Sequence, residues 1–277
     1  MADARTTDSW NTGRSNTDAW NPGQYERFAG ERSQPFFDLA AMVQPLDAGR
    51  AVDLGCGTGA LTAQLPALVG AGEVLGLDSS PGMLADAAAR AGDRVRFVEG
   101  DLATFHEPGG WDLVFSNAAL HWAPDHAGVL ARWTESLRAR GQLAVQVPTN
   151  ADHASHLVAA AVAHEEPFVS ALGGTPPPDA VADNVLRPER YAELLDRLGF
   201  VEQHVRLQVY GHHLATTADV VEWVKGTSLT RFRNRLEPDV FDAFIDRYRA
   251  RLLEVLGDRS PYPYAFKRIL FWGRVPA

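Results

Sequence analysis

The chain has 277 residues, 45% of them hydrophobic and 22% charged, the balance of a soluble globular protein rather than a disordered one. No apolar run reaches the roughly 20 residues that a membrane-spanning helix needs. The polar start from Met1 to Asn16 lacks a signal peptide's apolar stretch and the single cysteine, Cys56, cannot form an internal disulfide, so a cytoplasmic protein is expected. A net charge of −9 argues against a nucleic-acid backbone as the main partner. That charge is uneven, with 11 basic and 23 acidic residues from Met1 to Leu186 against 15 basic and 12 acidic from Arg187 to Ala277. The second part either carries solvated faces of mixed sign or receives something anionic. Arginine outnumbers lysine 24 to 2, the composition of a GC-rich, bacterial genome.

In chain order, residues 1–19 read as a flexible arm. Trp10-Asn11-Thr12-Gly13 and Trp20-Asn21-Pro22-Gly23 are two copies, too few for a repeat fold. Tyr25, Phe28, Ala29, Phe36, Leu39 and Ala40 suit an amphipathic helix from Tyr25 to Met42, with Pro35 as a candidate break. Ala51–Leu54 reads as a buried strand, followed by a glycine turn and a helix through Leu68. Glu73–Asp78, Val95–Val98, Trp111–Ser116 and Gln142–Val147 read as further strands, and Ser80-Pro81 starts a helix. Near-continuous apolar strands alternating with helices predict an α/β fold with a parallel sheet covered on both faces. A helical stretch from His153 to Glu166 leads into Gly173-Gly174-Thr175-Pro176-Pro177-Pro178, which reads as a mobile loop or lid within 170–187. Helices from Pro188 to Leu198, Thr217 to Lys225 and Pro238 to Leu256, with strands at Val201–Tyr210 and Ile269–Val275, complete the sheet and cap its edge.

The chemistry concentrates in Asp53-Leu54-Gly55-Cys56-Gly57-Thr58-Gly59, at the first strand-to-helix turn, where glycines let backbone approach a ligand. The dinucleotide fingerprint G-x-G-x-x-G fails because Ala60 stands at its third glycine, and no lysine followed by Ser or Thr marks a phosphate loop. Asp78, ending the second strand, is placed to accept from ribose hydroxyls. Asp101, ending the third, is placed to accept from an exocyclic amine. Asp53 inside a strand is costly to bury without a donor, so a bound ammonium or a backbone N–H is expected beside it. Three carboxylates on one edge suit a ligand with a ribose, an amine and a positive centre, and repel a pyrophosphate.

These motifs, Asp53 to Gly59, Asp78, Asp101-Leu102 and Trp111 to Trp122, resemble those of class I S-adenosylmethionine-dependent methyltransferases, over about Trp20 to Val147. A narrower resemblance reaches almost to the C-terminus. Trp20-Asn21-Pro22, Tyr25, Phe28-Ala29, Glu31-Arg32-Ser33, Ser79-Ser80-Pro81, Asn117 to Trp122, Leu143 to Gln146, Glu222-Trp223-Val224 and Phe266-Lys267-Arg268 are similar to the trans-aconitate methyltransferase family, less so between Thr149 and Leu186. The resemblance implies a Rossmann-like, mostly parallel sheet with an antiparallel C-terminal strand and a helical cap. It divides 20–277, one methyltransferase domain, into a cofactor-binding core (20–148), a helical cap with sheet completion (149–260) and a final strand region (261–277).

The resemblance implies S-adenosyl-L-methionine as cofactor, with Gly55, Gly57 and Gly59 shaping the turn against its methionine part and Asp53 and Ser79 beside it. Asp78 would hold the ribose, Met83 would pack near the adenine, and Asp101 and Leu102 would contact the adenine by side chain and backbone. Asn117 would line the methionine end, and Arg32 would pair with the cofactor carboxylate. The reaction implied is esterification of one carboxylate of a small polycarboxylic acid. Such an acceptor is ionised at neutral pH, so no catalytic acid or base is required; His121 is the candidate should the acceptor be a phenol or enol. A polycarboxylate requires cations, for which Lys225 and Arg268 are the leading candidates beside Arg32, Arg231 and Arg233. His121 and Trp122 are either an acceptor contact or a packed aromatic pair, and Trp20 and Tyr25 either close over the site or pack a helix. No metal is expected, since His153 and His156 lack a third ligand, and Cys56 is assigned no nucleophilic role. Monomer and homodimer stay open. Two other readings stand beside this one: a methyltransferase of a secondary-metabolite or acyl-thioester carboxylate, and a cofactor-binding or cyclase-like protein that transfers nothing.

Overall fold

The computed structural model describes residues 29–277, with side chains described from Ser33 onward. The expected arm, Trp20, Tyr25 and Phe28 lie outside the described residues, and for Arg32 only the backbone is described. In chain order the elements are α1 (Ala29–Ala40), β1 (Arg50–Leu54), a 3-10 turn (Thr62–Gln64), α2 (Leu65–Val69), β2 (Glu73–Asp78), α3 (Pro81–Ala88), β3 (Val95–Glu99) and β4 (Trp111–Asn117). A second 3-10 turn (Leu120–Trp122), α4 (His126–Glu135), β5 (Leu137–Pro148), α5 (Ala154–Ala163), α6 (Phe168–Ala171), α7 (Ala180–Asn184) and α8 (Pro188–Arg197) follow. The chain ends with β6 (Glu202–Leu214), α9 (Asp219–Lys225), α10 (Thr230–Arg233), α11 (Pro238–Leu256) and β7 (Tyr262–Arg274).

The seven strands form one sheet in the order β3-β2-β1-β4-β5-β7-β6. β1 to β5 pair in parallel, and β7 runs antiparallel between β5 and β6. This is the expected α/β sheet with its antiparallel C-terminal strand. The chain leaves β1 toward β2 on one side and reaches β4 on the other, so a crevice opens at the carboxyl ends of β1 and β4.

Burial explains the layering. On one face Phe36 and Leu39 of α1, with Leu65 and Val69 of α2, pack on Ala51, Val74, Leu113, Phe115, Ala144 and Leu270. On the other, Val129, Leu130 and Trp133 of α4 and Tyr191, Leu194 and Leu195 of α8 pack on Val52, Leu54, Val114, Leu143, Val145 and Phe271. A third cluster around Val162, Trp223, Phe232, Phe244, Tyr248 and Tyr264 joins α5, α9, α10 and α11 to the start of β7. Since α5 follows the carboxyl end of β5 and α9 that of β6, this cap stands over the same end of the sheet as the crevice.

The structure departs from the sequence reading locally. Pro35 does not break its helix: α1 runs through it. Complete burial of Phe36 and Leu39 against the sheet outweighs the roughly 3 kcal/mol cost of an interior proline. The helix expected after the glycine turn is a 3-10 turn plus five residues. β6, expected to end at Tyr210, runs on to Leu214, because Gly211, His212 and His213 pair with Ala265, Tyr264 and Pro263 of β7, beyond the last β5 partner, Arg268.

The segment 173–187 is tied down at Asp179. One carboxylate oxygen accepts the Val181 N–H at 3.1 Å and caps α7; the other meets His156 Nδ1 and Arg231 Nη1, both at 2.9 Å. Burial pushes this carboxyl up, but the hydrogen bond with His156 and the charges of His156 and Arg231 outweigh it and hold the group at about 2. A carboxyl depressed in the fold contributes stability above its unfolded value near 4, and that contribution is lost as pH falls toward 2. Asp179→Ala is expected to cost about 3 kcal/mol in unfolding free energy at pH 7 by stranding the Arg231 guanidinium and leaving His156 Nδ1 without its partner. The gap to the unsubstituted protein should narrow below pH 4 in denaturant titrations; a constant gap would contradict this assignment.

Candidate functional site

The carboxyl ends of β1, β2, β3 and β4 bring Gly57, Asp78, Asp101 and Asn117 to one edge. The turn after β1 is hung on β2, with the Gly55 and Cys56 N–H groups both donating to the Leu77 carbonyl at 2.8 and 3.1 Å. Gly57 has φ +56°, and a Cβ there would meet nothing within 4 Å, so its outer face is open to a ligand. Gly55 and Gly59 serve the fold instead: a Cβ would stand 2.1 Å from the Ala119 methyl and 2.5 Å from the Phe97 ring.

Asp53 is 3% exposed. Its expected donor, an ammonium or a backbone N–H, is instead a side chain: the Thr62 hydroxyl donates to Oδ2 at 2.6 Å. A hydroxyl one turn along satisfies the carboxyl without any ligand. Burial pushes this carboxyl up to about 7, against the Thr62 hydrogen bond and with the help of the negative Asp78. Cys56 is half-buried, and burial beside the two carboxylates pushes its thiol up, which keeps it un-ionised.

Asp78 is the best-organised group. Oδ2 accepts the Gly57 N–H at 2.8 Å and Oδ1 the Ser80 N–H at 2.9 Å. Each oxygen keeps a second lone pair, so a vicinal diol can donate to both. Ser79 is exposed and Met83 half-buried, and the Met83 N–H donates to the capping Ser80 hydroxyl at 3.3 Å. Asp101, exposed, accepts the Ala103 N–H at 2.8 Å, which fixes its carboxylate two residues past β3. The Leu102 carbonyl is taken by the Trp133 indole N–H at 2.9 Å. Asn117 Oδ1 is buried without a hydrogen-bond partner. An open glycine face, a diol acceptor and an unmet acceptor on one edge fit the ribose and ammonium of S-adenosylmethionine, and the ring of carboxylates disfavours a phosphate.

Beyond Asn117 the groups change character. His121 is 7% exposed and its Nδ1 is buried without a partner. Burial, aided by the charge of Arg268, pushes its imidazole down to about 3, so it is neutral at physiological pH. The Trp122 ring lies 4.7 Å from the His121 ring and is 62% exposed, so the pair is not a core pair. Arg268 is 9% exposed, lies over the Phe266 ring at 4.6 Å and donates from Nη1 to Gln146 Oε1 at 3.4 Å. Lys225 closes α9 in the cap and is half-buried; Arg231 is committed to Asp179. Two polar residues of this edge escaped the sequence reading, Thr62 and Gln146. Gln146 carried a signal, a polar residue inside the apolar run Leu143–Val147. Among the described residues no group of three potential metal ligands occurs, and no helix is long and apolar enough to cross a membrane.

Asp78→Ala is expected to raise the cofactor dissociation constant at least tenfold, about 1.4 kcal/mol, by removing the diol acceptor and freeing the Gly57 loop. Unchanged calorimetric binding would remove Asp78 from the site.

A methyltransferase-domain family model matches residues 51–141. The chain is 45% identical over 252 residues to the trans-aconitate 2-methyltransferase of Deinococcus radiodurans, covering 90% of this chain and 96% of that protein. It is 37% identical to the trans-aconitate 2-methyltransferase of Mycobacterium tuberculosis, covering 87% and 88%. In fold it is similar to the YcgJ protein of Bacillus subtilis, with TM-score 0.57 and 11% identity over 90% of this chain and 99% of that one. It is similar too to Haemonchus contortus phosphoethanolamine N-methyltransferase 2, solved in complex with S-adenosyl-L-methionine, with TM-score 0.55 and 18% identity over 96% of this chain; the chain spans 61% of that protein's length. The chain is an S-adenosylmethionine-dependent methyltransferase and belongs to the trans-aconitate 2-methyltransferase family.

Proposed function

We propose that this enzyme esterifies one carboxylate of a small polycarboxylic acid, with trans-aconitate as the first candidate. The observation that carries the reading is Arg268, a nearly buried guanidinium at the carboxyl edge of the sheet, near a neutral His121 and across β5 from Asn117's strand end. A buried cation there favours an anionic acceptor, and the relatives that carry the trans-aconitate name span almost the whole chain.

When bound, S-adenosylmethionine supplies an electrophilic methyl group on its sulfonium. The chain's own residues bind and orient. Asp78 takes the ribose, Asp101, Leu102 and Met83 border the adenine, and Asn117 and Arg32 take the ammonium and carboxylate of the methionine end. Gly55, Gly57, Gly59, Asp53 and Ser79 shape the turn that holds it. Arg268 and Lys225 take carboxylates of the acid, and His121 and Trp122 border it. A carboxylic acid with a pKa of about 4 is already a nucleophile at neutral pH, so no residue has to remove a proton. Positioning and exclusion of water are the enzyme's task, and effective molarity can supply roughly 7–11 kcal/mol. An imidazole held down near 3 by burial and Arg268 is a poor general base, so His121 acts as a neutral hydrogen-bonding wall. The exposed indole of Trp122 favours, as a second reading, an acid with an apolar body, such as a secondary-metabolite carboxylate.

The test is incubation of the purified enzyme with S-adenosylmethionine and a panel of di- and tricarboxylic acids, read by mass spectrometry. A monomethyl ester of trans-aconitate is expected; methylation confined to large apolar acids would favour the second reading, and cofactor binding without any methylated acid would overturn both. His121→Asn, which keeps hydrogen-bonding capacity without basicity, should retain kcat within about tenfold, below the 10²–10⁴-fold contribution of a general base. Its pH–rate profile between pH 5 and 8 should keep the shape of the unsubstituted enzyme's. Loss of a limb in that range would make His121 a base.

A further inference from the structure

We propose that Gln146 is a specificity-determining residue of the acceptor pocket, its side-chain N–H group receiving a carboxylate oxygen of the acid that Arg268 holds. This rests on the polycarboxylate reading above and names the residue that completes its recognition. Gln146 lies opposite Asn117 in the β4–β5 ladder, and Arg268 lies opposite Pro148, two residues further along β5. Residues two apart on a strand share a face, so Asn117, Gln146 and Arg268 stand side by side on one face of the sheet. That face, which also carries Ala144 and Leu270, is the one covered by α1.

Gln146 is 0% exposed amid Leu143, Ala144, Val145 and Val147, all equally buried. An apolar side chain would be the ordinary occupant of such a position, so the amide calls for a polar reason. Half of that reason is visible: Oε1 accepts from Arg268 Nη1 at 3.4 Å. The bond also fixes which end of the amide is which, since the reversed amide would set donor against donor. Nε2 is thereby left buried without a partner.

Two more buried polar atoms nearby lack partners, Asn117 Oδ1 and His121 Nδ1. The Asn117 and Gln146 amides are neighbours across the ladder, one an unmet acceptor and the other an unmet donor, yet they do not meet each other. A pair of ligands presenting a donor to Asn117 and an acceptor to Gln146 satisfies both. The ammonium of the methionine end is such a donor, and a carboxylate oxygen beside the Arg268 guanidinium is such an acceptor. A neutral donor and a bidentate-capable cation side by side match the two oxygens of one carboxylate.

The experiment compares full-length Gln146→Glu and Gln146→Met with the unsubstituted enzyme, measuring KM for trans-aconitate and, by calorimetry, affinity for S-adenosylmethionine. Gln146→Met removes the donor and should raise KM about tenfold. Gln146→Glu keeps the Arg268 contact but turns the donor into a negative oxygen that also neutralises Arg268, and should raise KM further. Cofactor affinity should stay within about threefold in both. A packing role predicts the opposite order, since Glu is the nearer match to Gln in shape. KM unchanged in both variants, the reversed order, an equal loss of cofactor affinity, or failure of both variants to bind cofactor would each overturn the proposal. An unsubstituted enzyme that methylates no acid overturns the function reading itself and is seen before any variant is compared.

Discussion

The Asp78 carboxylate is the joint on which the cofactor half of the molecule depends. It stands where β2 ends, and its two oxygens reach in opposite directions, one to Gly57 in the turn after β1, the other to Ser80 at the start of α3. One side chain thereby sets the distance between two loops that belong to different βα units. The same side chain keeps a second lone pair on each oxygen, so on the proposed reading loop geometry and ligand affinity are properties of one group. Asp53 supports the joint from beneath. Buried and turned to Thr62, it is pushed up chiefly by burial and further by the negative Asp78 at the end of the neighbouring strand.

The acceptor half rests on the long β6–β7 pairing. β7 places Lys267 and Arg268 consecutively, and alternation sends them to opposite faces: Lys267 pairs with Asp152, while Arg268 turns into the sheet's α1 face. On that same face Tyr210 donates to Asp38 Oδ2 at 2.7 Å and Arg206 to the Asp38 carbonyl at 3.4 Å, which pins α1 to β6. From the other side Asn184 of α7 donates to the His121 carbonyl at 2.9 Å, so the Asp179 clasp also steadies the turn that carries His121 and Trp122. The surroundings of Arg268 and His121 are thus assembled from elements far apart in sequence, joined by polar contacts as well as by the core.

This explains what could be read from the sequence. Strands β1, β2, β4 and the second part of β5 are buried on both faces, and continuous apolar runs between glycine and proline signals mark such strands plainly. Asp78 and Asp101 could be placed at strand ends because a parallel sheet repeats the same geometry at each carboxyl end, whereas Asn117 came from the family resemblance. The continuity of α1 through Pro35 was not, because it depends on Phe36 finding Phe115, with ring centroids 5.0 Å apart, from the far side of the sheet. Nor was the role of Thr62, nine residues from Asp53 and brought to it by a turn too short to show periodicity. β6 hides its last residues because Gly211-His212-His213 acquire strand geometry only from β7. Gln146 is an anomaly within an apolar strand, but an anomaly takes its meaning from neighbours, and those come from β4 and β7.

The distribution of charge along the edge follows from the reaction it serves. A sulfonium cofactor is itself positive, and a polycarboxylate is negative; each needs the opposite sign around it, and the two must meet. Carboxylates therefore crowd the ends of β1 to β3, while the guanidinium of Arg268 lies beyond β5, with the uncharged Asn117, His121 and Gln146 between them. Neutral groups at that boundary are an electrostatic requirement. A charged side chain there would be drawn to one ligand and would repel the other, whereas an amide or a neutral imidazole can offer a donor to one side and an acceptor to the other. Burial enforces this neutrality at His121, and the amide chemistry of Asn117 and Gln146 supplies it without any titration.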